Sequence, residues 1–195
     1  MIESTRGYEQ EAPELLQRYE RTPFEQAHPG ALDLIPPPRI SVLDIGAGTG
    51  RDAAWFATRG DDVTAIEPTR AMREGAIKLH PAPNITWIDD HLPDLVSVRG
   101  RTFVLVWVSA VWMHFDEAER ARMMPIVAAL VAPHGTLMMS LRHGPIPPGR
   151  RMFDVSPEET KALAHAAGFE CKRADALESA FAPGVFWDRF WFVRQ

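Results

Sequence analysis

One cysteine, Cys171, occurs in 195 residues, so no disulfide can close within the chain and no zinc site can rest on several thiolates. Long hydrophobic runs are missing as well. The longest, across residues 103–113, is about half of the roughly 20 residues that a membrane-spanning helix needs. There is no basic block. Lys and Arg number 21 against 26 Asp and Glu, a formal net charge of −5, so nothing recruits nucleic acid by charge. The first residues hold Glu3, Arg6, Glu9 and Glu11 without an apolar stretch. That is not the composition of a signal peptide, and a cytoplasmic protein is expected. Repeats and low-complexity tracts are absent. His, Asp and Glu nowhere take up metal-ligand spacing, so no metal site is expected.

What is present suits a globular enzyme-sized domain. The 46% hydrophobic content is ordinary for a folded protein, and the length allows one sizeable α/β domain but not two. From residue 40 strands and helices alternate. Strands are expected at 40–45, 63–67, 84–88, 102–108 and 136–141. Helices are expected from Thr49 to Gly60, from Thr69 to His80 and from Asp116 to about Val131, the last with an Asp116-x-x-Glu119 capping signature. Ser156-Pro157-Glu158-Glu159 starts another helix that ends at Gly168, and Pro133-His134-Gly135 reads as a turn. Two final strands, near 169–174 and 186–193, are joined by a short connection that favours an antiparallel hairpin. The strand at 102–108 is almost wholly apolar, as a strand covered on both faces should be. The expected architecture is a doubly wound, mostly parallel α/β sheet with right-handed crossovers and an antiparallel last strand.

Residues 1–38 read differently from 39–195. The spacing of Leu15, Leu16 and Tyr19 predicts a helix with Pro13 near its first turn. A second helical segment is expected from Phe24 to Ile35, and Pro36-Pro37-Pro38 then enforces an extended entry to the first core strand. This segment reads either as a cap over the core or as a simple packing helix.

The most informative stretch is Val42-Leu43-Asp44-Ile45-Gly46-Ala47-Gly48-Thr49-Gly50-Arg51-Asp52. An apolar strand ends in an acid, then a glycine loop, then a helical segment, so a ligand can lie against bare backbone at the strand's carboxyl end. Seventeen residues past Gly50 the next strand ends in Glu67, and an acid there can take both hydroxyls of a ribose. In a dinucleotide fingerprint, G-x-G-x-x-G, the third glycine would fall where Arg51 stands. A carboxylate as close to the loop as Asp44 also suits a cationic ligand group better than a pyrophosphate.

With Asp44, the loop glycines and Glu67, residues 42–67 resemble motifs I and II of the class I S-adenosylmethionine (SAM) methyltransferases. Over residues 40–195 the chain looks like short bacterial members of that family, whose core is a seven-stranded sheet. The resemblance implies SAM as cofactor. It places Gly46, Ala47, Gly48 and Gly50 along the methionine part and Asp44 on its ammonium side. Glu67 falls on the ribose hydroxyls, Pro68 and Met72 around the adenine, and either Asp89 or Asp90 on the adenine amino group. Ser109 and the segment to Phe115 line SAM and face the acceptor, and Tyr19 of the cap is counted with the cofactor contacts.

For chemistry, His114 reads either as a base for an acceptor hydroxyl or as a structural histidine beside the next helix cap. Arg142, His143, Arg150 and Arg151 gather on a proline-stiffened loop. They either bind an anionic acceptor or pair with Asp154 and Glu158. Methyl transfer needs mainly alignment and exclusion of water, so few catalytic groups are required. No Asn-Pro-Pro-Tyr-like run follows the fourth strand and no cysteine lies in the pocket loops, which argues against DNA amino- and cytosine C5-methylation. The expected activity is methylation of a small-molecule acceptor by a monomer or homodimer, without nucleic acid or membrane partners. The rival readings are a SAM-binding scaffold without turnover, a nicotinamide-dependent oxidoreductase and a protein methyltransferase.

Overall fold

The computed structural model describes residues 2–179 and 182–195. Two helices, α1 (Tyr8–Glu20) and α2 (Phe24–Ala27), precede β1 (Ser41–Ile45), α3 (Arg51–Thr58), β2 (Asp62–Ile66), α4 (Arg70–Leu79) and β3 (Ile85–Ile88). Then come β4 (Phe103–Ser109), α5 (Glu117–Leu130), β5 (Val131–His143), α6 (Pro157–Ala166), β6 (Phe169–Glu178) and β7 (Phe186–Arg194). The seven strands form one sheet in the order β3-β2-β1-β4-β5-β7-β6. β1 to β5 pair in parallel, and β7 runs antiparallel to both β5 and β6. Among the described residues no helix is long and apolar enough to cross a membrane.

Strand alternation divides the core. Leu43, Ile45, Val106, Leu137 and Met139 face α5 residues Met123 and Val127. Val42, Leu105, Trp107, Met138 and Trp191 face α3 residues Ala53 and Phe56, with Phe24 and Ala31 closing that layer. Trp107 is fully buried there, with Phe24, His28 and Phe56 around its ring at centroid distances of 5.6, 4.9 and 5.2 Å. Truncating an aromatic side chain so enclosed costs on the order of 3–5 kcal/mol.

The predicted caps are present. Asp116 and Glu119 form a reciprocal capping box at α5, and Ser156 accepts from Glu158 and Glu159 at the start of α6. Several boundaries differ from the sequence expectation. The segment Phe24–Ile35 holds only the single turn of α2, because Pro29 disfavours helical geometry at His28 before it. β5 is longer than predicted. It starts straight after α5, and the Pro133–Gly135 turn survives inside it as an irregularity in the pairing with β4, where the register shifts between Phe103 and Leu105. Pro13 lies inside α1 rather than in its first turn.

α1 lies on α4. Ala12 and Leu15 pack with Met72, while Leu16 covers Gly75. A Cβ at Gly75 would come within 2.3 Å of Leu16 Cδ1, so glycine there permits the close helix contact.

Candidate active site

The glycine loop leaves β1 with left-handed backbone at Gly46, Gly48 and Gly50, at φ +74, +58 and +82°. Gly46 and Ala47 both donate to Ile66 O, at 2.8 and 2.9 Å, which ties the loop to β2. At Gly46 a Cβ would meet Val111 Cγ2 at 2.5 Å, so the loop after β4 presses directly on it. Above Gly48 the nearest atoms to such a Cβ are 3.9 Å away, so the backbone there is open to a ligand. Because Gly50 is left-handed, α3 begins at Arg51, two residues later than predicted.

Both predicted acids are buried at this loop. Asp44 is 2% exposed, and its Oδ2 has no hydrogen-bond partner among the described residues. Burial, then the neighbouring charge of Asp52, raise its pKa well above the carboxylate range against the opposing pull of Arg51. Asp52 itself stays charged. Burial works against it, but His28 and Arg51, each at 2.8 Å, outweigh that, and Trp107 Nε1 donates at 2.9 Å. Glu67 accepts from Gly48 N at 2.9 Å and Thr69 N at 2.7 Å. Burial raises its pKa despite these donors. Each carboxylate oxygen keeps a lone pair for a ligand hydroxyl. Pro68 joins Glu67 to the start of α4, and the Met72 methyl stands over Gly48.

Of the two acids after β3, Asp90 is tied into its own loop, with Oδ1 accepting from His91 N and Oδ2 from Ser97 N, both at 2.7 Å, one bond on each oxygen as at Glu67. Asp89 is open to solvent and pairs with Arg73 at 2.8 Å. Arg73 also donates to Glu67 O, so Asp89 is linked through Arg73 to the Glu67 backbone. After β4, Ser109 Oγ lies 3.2 Å from Ser140 Oγ, which accepts from Ala110 N at 2.9 Å.

His114 is 5% exposed. Its Nδ1 is 2.7 Å from Arg151 O. A carbonyl only accepts, so Nδ1 carries the proton and Nε2 keeps its lone pair. That lone pair faces the Tyr8 hydroxyl at 3.1 Å. Burial lowers the His114 pKa below its ordinary value, and the positive charges of Arg150, Arg151 and Arg142 add to this against the bond to Arg151 O. These effects favour the neutral form of the imidazole.

Sequence reasoning did not single out Tyr8. Burial raises its phenol above the usual range, Tyr19 and Glu67 contribute to the rise, and its hydroxyl meets His114 at 3.1 Å. Arg150 stacks 3.8 Å over its ring and pairs with Glu11 at 2.8 Å. The available signal was that Tyr8 and Glu11 share a helix with Tyr19, but nothing local indicated what they would face. Tyr19 itself is more exposed, with Arg18 against its ring.

The arginine-rich loop is only partly free. Arg151 binds His114 O, Glu119 and Asp116, and Arg150 is committed to α1. His143 sits between Asp154 and Asp188, at 2.9 and 2.8 Å. Arg142 donates to Pro145 O at 3.0 Å and has no acidic partner among the described residues. The anticipated pairing with Asp154 falls to His143, and the arginines take Glu11, Asp116 and Glu119. Asp44, the glycine loop, Glu67, Met72, Ser109 and His114 thus gather at the carboxyl ends of β1, β2 and β4, whereas His143 and Asp90 are held in local structure.

Known proteins are similar to this chain in sequence and fold. A family model described as a methyltransferase domain matches residues 42–135. An uncharacterized methyltransferase of Exiguobacterium sibiricum is 28% identical over 181 residues, which is 91% of this chain and 74% of that protein. Among solved structures, the 1,6-didemethyltoxoflavin N1-methyltransferase of Burkholderia thailandensis, with its substrate and S-adenosylhomocysteine bound, superposes with a TM-score of 0.67 at 18% identity, over 97% of this chain and 79% of that one. The [4+2]-cyclase SpnF superposes with a TM-score of 0.73 at 14% identity, over 96% of this chain and 93% of that one.

Proposed function

Since the chain is a class I SAM-dependent methyltransferase, we propose that it methylates a small, anionic molecule whose proton is taken by His114. The observation that carries this reading is the roof over the site. α1 packs on α4, and its Tyr8 reaches from the neighbourhood of Glu67 to His114, under the Arg150–Glu11 pair. A site closed in this way suits a small acceptor. A protein side chain presented from a large surface would need an open groove.

The residues fit the cofactor. Asp44 offers an orphaned, buried carboxylate oxygen to an ammonium group, the glycine loop offers open backbone, and Glu67 offers spare lone pairs to a ribose. SAM, when bound, supplies a methyl group already activated on a sulfonium. The chain's own part is to align the acceptor and exclude water. His114 Nε2 would take the proton of an acceptor hydroxyl, and Arg151 O holds the ring in the required tautomer. Tyr8 covers the acceptor side, and residues 1–38 act as a lid.

One neighbour of the same fold is a [4+2]-cyclase, so fold alone does not fix the reaction and transfer itself must be measured. Protein stripped of co-purified ligand should bind SAM and S-adenosylhomocysteine in calorimetry but not NADH. It should then release S-adenosylhomocysteine with some member of a panel of small carboxylate and phosphate acceptors. Binding of NADH alone would overturn the cofactor assignment. Tight SAM binding with no turnover across the panel would favour a non-methylating binder.

A further inference from the structure

β7 places a guanidinium inside the protein that the site just described does not use. Arg189 is 3% exposed, and its Nε and Nη1 are buried without a hydrogen bond. Asp175 stands directly across on β6 and is held by Arg173 at 2.8 Å, while its own buried Oδ2 makes no hydrogen bond among the described residues, and the Arg189 guanidinium lies 5.7 Å over the Trp191 ring. Burial lowers the Arg189 pKa, and the attraction of Asp175 only partly offsets it. A buried cation with two nitrogens left without hydrogen bonds destabilises a fold, and an apolar side chain of similar volume would do better. Those two nitrogens can receive an anion from outside the chain.

The register says where that charge would lie. Arg189 pairs with Ser140 on β5, and cross-strand partners share a face of the sheet. Ser140 holds the Ala110 amide and touches Ser109, so Arg189 is one strand pairing away from the segment that ends in His114. Two residues along each strand the same face carries Arg142, the loop arginine without an acidic partner, paired with Trp187. On the other side lies Trp191, whose buried indole N–H also lacks an acceptor. Arg189 and Trp191 thus leave donors without hydrogen bonds among the described residues on one face beside the end of β4, and Arg142 on the same face donates only to Pro145 O.

We propose that Arg189, aided by Arg142, is the receptor for the carboxylate or phosphate of the methyl acceptor, an assignment that rests on the methyltransferase reading of the site. The buried guanidinium anchors the anion and thereby sets the reacting atom against the Ser109–His114 segment. Fork-shaped donors suit the paired oxygens of either anion.

Inorganic phosphate is the probe, measured by thermal unfolding at constant ionic strength set with sodium chloride. Wild-type protein should gain roughly 3–5 °C at ten times the phosphate Kd. Arg189→Met should show no gain and should unfold at or above the wild-type temperature in phosphate-free buffer. Arg189→Lys, which keeps the charge but not the fork, should retain a weaker response. S-adenosylhomocysteine affinity should stay within about twofold in both variants, well under the tenfold that 1.4 kcal/mol would produce.

Equal phosphate responses in wild type and Arg189→Met would overturn the proposal. So would a lower melting temperature for Arg189→Met without phosphate, which would make the guanidinium structural. A loss of S-adenosylhomocysteine affinity confined to the variants would assign the anion to the cofactor's own carboxylate and overturn the acceptor assignment. Failure of wild-type protein to bind S-adenosylhomocysteine would remove the methyltransferase premise itself, a result the phosphate arm does not depend on.

Discussion

Replacing Asp44 with Asn should make the protein more stable when empty and a poorer binder of its cofactor. Asn keeps the shape of the side chain and removes its charge. Asp44 Oδ2 has no partner, and burial together with the charge of Asp52 raises the carboxyl pKa in the fold. The sign follows from linkage. A folded-state pKa above the unfolded value of about 4 means that stability declines as pH rises past that value and stays reduced at pH 7. A buried group left unsatisfied costs about 1–3 kcal/mol, which Asn should largely recover. At roughly 2–4 °C per kcal/mol for a domain of this size, the melting temperature should rise by about 3–8 °C. Loss of a charge-assisted bond to the ligand's ammonium should cost about 1.5–3 kcal/mol, or roughly 10–150-fold in Kd. Thermal unfolding from pH 4 to 8, with and without S-adenosylhomocysteine, reads both effects. The stability advantage should shrink toward pH 4, and added ligand should reverse the order of the two proteins. A variant less stable at pH 7, or one with unchanged affinity, would refute the reasoning.

Two further outcomes are expected. Glu67→Ala should weaken S-adenosylhomocysteine binding by about 1–3 kcal/mol in calorimetry, and it should lower stability as well, because Gly48 N and Thr69 N lose their acceptor; unchanged affinity would sink the ribose assignment. His114→Asn should reduce kcat by roughly 10²–10⁴-fold, and the acid limb of the wild-type rate profile should fall below the ordinary histidine pKa of about 6.5, since burial lowers that of His114. An acid limb at or above that value would mean that another group accepts the proton.

The strands of the core were legible because a strand covered on both faces needs an apolar run, and Val104–Val108 and Val42–Ile45 supply one. The capping box at Asp116 and the Ser156 cap were legible because a cap is a local bond between residues two or three apart. The same locality limits the method at β5. Pro-His-Gly reads as a turn, and only the pairing of Val131 with Phe103 shows that the strand passes through it. In the site, Asp44, the glycine loop and Glu67 were found because strand ends and turn geometry fix their placement. Tyr8 and Arg189 were missed because their significance lies in a partner 106 residues away, for Tyr8, or in two buried nitrogens without hydrogen bonds among the described residues, for Arg189. The reach of Arg150 to Glu11, across 139 residues, was invisible for the same reason.

The hydrogen bond between Tyr8 and His114 bears on the range of acceptors. With the site closed over itself, the histidine's lone pair already has a donor. An incoming molecule that separates the two rings must offer a replacement, or it leaves a buried nitrogen bare at a cost of about 1–3 kcal/mol. Hydroxyls and amines meet that condition, because the atom to be methylated brings its own hydrogen. Thioethers and tertiary amines do not. On the proposed reading of the site, compounds are sorted by whether they have a proton to give up, before any methyl group moves.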